Sequence, residues 1–195
     1  MSASAESRPT ADARGAGTLG MTLFLVSLSI LFAASLAGYL VVRARAVAWP
    51  PPDMPRLPAG LWVSTIIILV SSGTIQFALA SARRDRAGAL IGAMLITTLL
   101  GVVFLFSQAV NWGWLIWIQH ATPRSGMYLF TFYALTGLHA AHVGGGLVLL
   151  TVVTARAFRG RYSSAFHPGV RYSAMYWHFL DAVWLLLFAV MVVFA

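Results

Sequence analysis

No cysteine and no lysine occurs in this 195-residue chain, and only five residues are acidic. The lack of thiols excludes disulfides, thiolate metal sites and iron–sulfur ligation. Charged residues make up 9% of the chain, against about 25% in soluble domains. With 59% of residues hydrophobic, the composition is that of an integral membrane protein with room for one helical bundle. Also missing are a phosphate-binding loop, a nucleophile elbow and a second in-span carboxylate for acid–base work.

What is present is a series of five apolar runs, at about residues 18–42, 61–81, 88–110, 127–155 and 174–195, each near the length a bilayer demands. The fourth is long enough to tilt or to project beyond the bilayer. Backbone polar groups in lipid must be satisfied within helices, so the expected fold is all-α, a bundle of five transmembrane helices. Residues 1–17 are small and polar and read as a disordered cytoplasmic tail, without the h-region and cleavage site of a signal peptide. Residues 43–60, with Trp49-Pro50-Pro51-Pro52, Pro55 and Pro58, read as a stiff extended connection. Trp112, Trp114 and Trp117 suit an interfacial belt in the third linker.

All 13 basic residues are arginines. Their clustering in short loops points to a membrane surface rather than to nucleic acid. Nine fall in the tail, second loop and fourth loop, and four in the other linkers. The positive-inside rule then puts the N-terminus in the cytoplasm and the C-terminus outside.

Few residues inside the spans could carry chemistry. His139 and His142 are three apart on the fourth helix and share a face, followed by Gly144-Gly145-Gly146 for close helix approach. His178 and Asp181 are three apart on the fifth, within the run from Tyr176 and Trp177 to Trp184. An ionisable residue in a span is costly and marks a function or a specific partner. Together the three histidines and one carboxylate resemble a non-haem iron or zinc shell. Depth speaks against it: counted from the cytoplasmic ends, Asp181 lies about 10 Å in and His178 about 6 Å, but His142 and His139 about 20 and 24 Å. No metal site is therefore expected, and interhelical hydrogen bonding is the favoured role. A proton relay through His178 and Asp181 finds only hydroxyls and the end-placed Gln76 and Gln108 on the earlier helices, and hydroxyls do not store a proton at neutral pH. His120 and His167 fall in loops.

The last helix, YWHFLDAVWLLLF, and the fourth, FTFYALTGLHAAHVGGG, resemble the closing signature and the TG-x-H-x-x-H-V segment of subunit III of the haem–copper oxidases. Weaker matches run from Leu57-Pro58 through Ser64-Thr65 to Ser71-Ser72, and at Gly20-Met21 with Leu23-Phe24. The likeness covers nearly all of the chain after residue 17, and it is to the five-helix members of that family, whose N-in, C-out orientation agrees with the arginine count. The resemblance implies a bacterial inner-membrane, multi-pass accessory subunit with no cofactor and no catalytic residue of its own. Haem, copper and oxygen reduction would reside in a partner, with subunits I and II beside this chain. His139, His142, Tyr176, Trp177, His178, Asp181 and Trp184 would form a structural polar cluster that fixes helix packing. Arg83, Arg84, Arg86, Arg156, Arg159, Arg161 and Arg171 would meet phospholipid headgroups, and the subunit would support proton uptake.

Two positions depart from the family pattern. Leu28 stands after Ser27 where the family often has a carboxylate, and Asn111 ends a Gln108-x-x-Asn111 motif that usually ends in Glu. Leu28 carries no proton, so any role of that carboxylate does not transfer, and His139 and His142 lose a partner. The rival functions are an accessory subunit of a nitric oxide reductase, an independent transporter and a histidine-based metalloenzyme. A transporter needs broken helices or a polar pathway at the midplane, and the sequence has neither.

Overall fold

The computed structural model describes residues 11–193 apart from Asp53 and Arg56. The described residues are helical throughout their regular structure: α1 (Ala11–Arg45), α2 (Gly60–Arg83), α3 (Ala87–Gly113), α4 (Met127–Phe158) and α5 (Pro168–Val193). All five contain a stretch long and apolar enough to cross a membrane. Helix α3 runs on into a π-helical turn, Trp114–Ile118.

Three boundaries differ from the hydropathy reading. Residues 11–17, assigned to a disordered tail, open α1, because Ala11, Ala13, Arg14 and Ala16 are strong helix formers; residues 1–10 of that tail lie outside the described residues. The third linker shortens because the helix continues through its tryptophans. Helix α5 begins at Pro168 rather than 174, since proline suits the first helical position, where its missing N–H leaves no bond unmade. The polar residues Arg171, Tyr172 and Ser173 that hid this start from hydropathy fall within its first two turns.

Helices α2, α3, α4 and α5 form a closed ring, each packed against the next, and α1 lies outside it in the groove between α4 and α5. Every neighbour in the ring is antiparallel. Side-chain pairs set the register: Ser64 with Ser107 and Thr74 with Thr97, each hydroxyl pair 2.8 Å apart, bind α2 to α3 ten residues apart on both helices. Small hydroxyl residues allow this close approach while satisfying each other in an apolar medium. Outward faces are aliphatic, with Leu19, Ile30, Ile66, Leu99 and Val148 exposed.

The two ends of the bundle differ. One gathers Arg83, Arg84, Arg86, Arg156, Arg159, Arg161 and Arg171, all exposed. There Asp85, in the left-handed conformation at φ 53° that Asp tolerates better than most residues, accepts hydrogen bonds from the Ser164 amide and hydroxyl. This clasp ties the α2–α3 turn to the α4–α5 loop. The other end is rich in tryptophan. Trp49 packs edge-on between Tyr39 of α1 and Tyr128 of α4, with ring centroids at 5.6 and 5.1 Å, and its indole N–H donates to the Tyr39 hydroxyl at 3.3 Å.

Tight packing centres on Trp177. A Cβ at Gly101 would fall 2.7 Å from both Leu147 Cδ2 and Trp177 Cη2, and one at Gly146 would fall 3.0 Å from Tyr176 Cε1. Leu147 can move, but the Trp177 ring is held by its own hydrogen bond to α2. Gly101→Val is expected to cost about 1–3 kcal/mol through overpacking, read as a lower unfolding temperature in detergent, with Gly92→Val, which meets open space, as the control. At the arginine-rich end, the two Ser164 donors hold the Asp85 carboxyl below its ordinary value. A depressed carboxylate stabilises above its unfolded pKa and loses that contribution as pH falls through the folded value. The Ser164 amide NMR shift should therefore titrate with a midpoint below about 3.9, and Asp85→Asn should remove that titration.

Candidate functional site

Trp177, His178 and Trp184 of α5 face α2, where Ser71, Ser72 and Thr65 meet them. Trp177 Nε1–H donates to Ser71 Oγ at 2.6 Å, and Trp184 Nε1–H, two turns on, donates to Thr65 Oγ1 at 3.0 Å. Between them His178 sits with Nδ1 2.8 Å from Ser72 Oγ and Nε2 3.3 Å from Gln76 Oε1. Asp181 is buried one turn along, Oδ2 3.8 Å from His178 Nδ1. Neither of its oxygens has a partner at hydrogen-bonding distance. The seam thus contains a donor or acceptor from α2 for each indole and for the imidazole.

The second pair of histidines lies on the other side of α5. His139 is fully buried, ringed by Trp184 at 5.2 Å, Phe104 of α3 at 5.7 Å and Phe32 of α1 at 6.3 Å between centroids. Both its nitrogens lack a partner. His142 turns Nδ1 to the Leu138 carbonyl of its own helix at 2.8 Å and stacks at a tilt 5.1 Å from Phe32. Its backbone carbonyl accepts the Tyr176 hydroxyl at 3.0 Å. Leu28, one turn before Phe32, is buried on the same face of α1 and has no polar group to offer.

This arrangement corrects the depth argument made from sequence. Gly146 packs on Trp177 and His139 on Trp184, so in antiparallel register His142 lies level with Asp181. Counted from the observed start at Pro168, Asp181 is about 20 Å into its helix and His178 about 15 Å. Depth does not separate the two groups; direction does. His178 turns to α2 with Asp181 beside it, whereas His139 points into an aromatic box lined by α1, α3 and α5. Among the described residues, no three of His, Cys, Asp or Glu come together as metal ligands.

Other polar positions distribute along the same logic. Asn111 Nδ2 donates to Ser64 Oγ at 3.4 Å, and Trp112 Nε1–H donates to Thr136 Oγ1 at 3.2 Å. Gln108 is buried with its amide unpartnered. His120 is exposed, and His167 places Nδ1 3.0 Å from the Ser163 carbonyl. The serines and threonines of α2 were visible in the sequence as a weak family match and as groups unable to store a proton. Their role as indole acceptors had no signal in the spacing: Thr65 and Ser71, which meet Trp184 and Trp177, are six residues apart against seven for the tryptophans. Phe32 and the Asp85–Ser164 clasp carried no signal either.

Over residues 6–195 the sequence matches the family described as Cytochrome c oxidase subunit III. It is 35% identical over 171 residues to cytochrome c oxidase subunit 3 of Synechocystis, covering 87% of this chain and 72% of that one. It is 31% identical to cytochrome c oxidase subunit 3 of Thermostichus vulcanus, with 89% and 85% covered. To cytochrome bo(3) ubiquinol oxidase subunit 3 of Pseudomonas aeruginosa it is 32% identical, with 92% and 85% covered.

Burying the two unpartnered nitrogens of His139 has a desolvation cost of about 1–3 kcal/mol for each group left unsatisfied. His139→Phe, which completes the aromatic box without them, is expected to leave the unfolding temperature unchanged or raise it. Trp184→Phe, which removes the indole hydrogen bond to Thr65 and part of the ring contact with His139, is expected to lower it in the same detergent melt.

Proposed function

The chain belongs to the cytochrome c oxidase subunit III family, and we propose that it acts as the non-catalytic third subunit of a bacterial terminal oxidase, stabilising the subunit that reduces oxygen. The observation that carries this reading is how the in-membrane polar groups are used. Indoles, hydroxyls and His178 engage residues of a neighbouring helix, and His139 is sealed by aromatic rings. Such side chains specify packing, at about 0.6 kcal/mol per bond and rarely above about 1.7. They do not converge on a space where a substrate could react. Haem and copper belong to the partner in this reading, with subunits I and II as the neighbours and the bacterial inner membrane as the location.

The arginine-rich end supports the rest. Seven exposed arginines around the Asp85 clasp are placed to meet anionic phospholipid headgroups, each worth on the order of 1 kcal/mol near the surface. By the positive-inside rule this end is cytoplasmic, which puts the N-terminus inside and the C-terminus outside. Support of proton uptake by the complex would act from this same face.

A tagged chain purified in mild detergent is expected to bring down a subunit with haem and copper; recovery of the chain alone would sink the proposal. In that complex Asp181→Asn should leave the initial turnover rate intact while shortening the time over which turnover persists, or lowering assembly. Immediate loss of all activity in a fully assembled variant would show that Asp181 acts in the reaction itself.

A further inference from the structure

Helix α1 is attached to the ring differently from the way the ring helices are attached to one another. Every neighbouring pair in the ring shares a hydrogen bond: Ser64 with Ser107 for α2–α3, Trp112 with Thr136 for α3–α4, Tyr176 with the His142 carbonyl for α4–α5, and Trp177 with Ser71 for α2–α5. On α1, Thr22, Ser27, Ser29 and Ser35 all turn their hydroxyls back to carbonyls of their own helix. The helix meets the ring along a narrow seam of Met21, Leu25, Leu28, Phe32, Ser35 and Tyr39, spaced alternately by four and three. Of its most apolar stretch 17% is buried, against 33–44% for the other four helices. In lipid, apolar side chains gain little by leaving the solvent, so helices are held by close packing and interhelical hydrogen bonds. From Thr22 to Ser35 the hold on α1 is packing, and that packing is loose. Open grooves of about 380 Å³ toward α5 and about 470 Å³ toward α4 run along its two sides.

The tryptophan-rich end is better fastened. There Trp49 of the α1–α2 linker wedges between Tyr39 and Tyr128, with its N–H on the Tyr39 hydroxyl. Phe32 lies about 10 Å along the axis from Tyr39, and Leu23 about 24 Å. Phe32 lines the groove toward α5 and also meets His139 and His142, completing the box around the two unpaired His139 nitrogens. Left unpaired, those nitrogens raise the free energy of the shut box, and the seam that shuts it is the weakest in the bundle. We propose that α1 is a hinged lid: it stays clamped at Trp49 and swings off α4 and α5 in the half nearer the arginine-rich end, making the His139 imidazole reachable from the membrane. The device belongs to this chain alone and needs no partner subunit.

With no native cysteine, the full-length chain in lipid nanodiscs accepts nitroxide pairs without background, and double electron–electron resonance then reads their separations. Leu23 with Val152 reports the swinging half, Val41 with Phe130 the clamped end, and Leu99 with Val148 the ring; all six positions are exposed. The Leu23–Val152 distribution is expected to be the broadest, with a component at longer distance, while the other two stay narrow. A Leu23–Val152 distribution as narrow as that of the ring pair would overturn the lid, and equal broadening at Val41–Phe130 would overturn the hinge. Phe32→Ala should raise the open-to-closed ratio by about fivefold, the size of one aromatic contact; an unchanged ratio would show that Phe32 is no latch. The wild-type comparison decides the lid even if that variant folds poorly, which a broadened ring pair would reveal. Access is read with diethyl pyrocarbonate on the wild-type chain. His178, whose side chain is 39% exposed, should be modified quickly and His139 slowly but measurably. His178 modified with His139 untouched would overturn access through the lid.

Discussion

A hydrocarbon core supplies no water, so a polar side chain turned inward has to be met by another helix or remain unsatisfied at a cost. The packing of this bundle follows from that constraint. The indoles of Trp177 and Trp184 are too large to sit at a helix interface unless their N–H groups find acceptors, and α2 provides Ser71 and Thr65. Once the Trp177 ring is fixed, its far edge requires glycine at positions 101 and 146 on α3 and α4. One hydrogen-bonded tryptophan therefore sets the approach of four helices. The Ser64–Ser107 and Thr74–Thr97 pairs hold the register of α2 and α3 by the same means.

The histidines show the cost side of the constraint. His142 turns back to its own helix, and His139, with Leu28 and Phe32 on the facing helix rather than a polar group, has both nitrogens buried and unpaired. Its stability depends on ring contacts with Phe104, Trp184 and Phe32. His178 and Asp181 lie in the same layer of the membrane but open to the other side of α5. The same four residues that look like one constellation on paper therefore serve two interfaces.

Helix α1 stands apart from the ring. Among the described residues it contacts only α4 and α5 of the helices, through Phe32 near the middle and Tyr39 with Trp49 at the tryptophan-rich end. At the opposite end, Asp85 and Ser164 join the two loops around which seven arginines gather. The bundle is thus closed by hydrogen bonds at its core and by loop contacts at both ends, with the aliphatic outer faces left for lipid or for other subunits.

Five helices, their approximate spans, the membrane setting and the family were determined by the sequence itself, because hydropathy over about 20 residues and a pair of local motifs are one-dimensional properties. Helix ends were less legible: Pro168 and the alanine-rich start of α1 obey capping and propensity rules that hydropathy does not register. Tyr176, Trp177, His178, Asp181 and Trp184 stood out in the sequence as polar groups close together in one span. What only the tertiary structure decided is which of these face each other. Depth counted along one helix cannot report rotation about its axis or offset against a neighbour, and six residues of error at Pro168 moved Asp181 level with His142. The pairing of Trp177 with Ser71, of Trp184 with Thr65, and the division of the histidines between two faces depend on the mutual rotation of α2, α4 and α5, which is set by packing across the whole bundle.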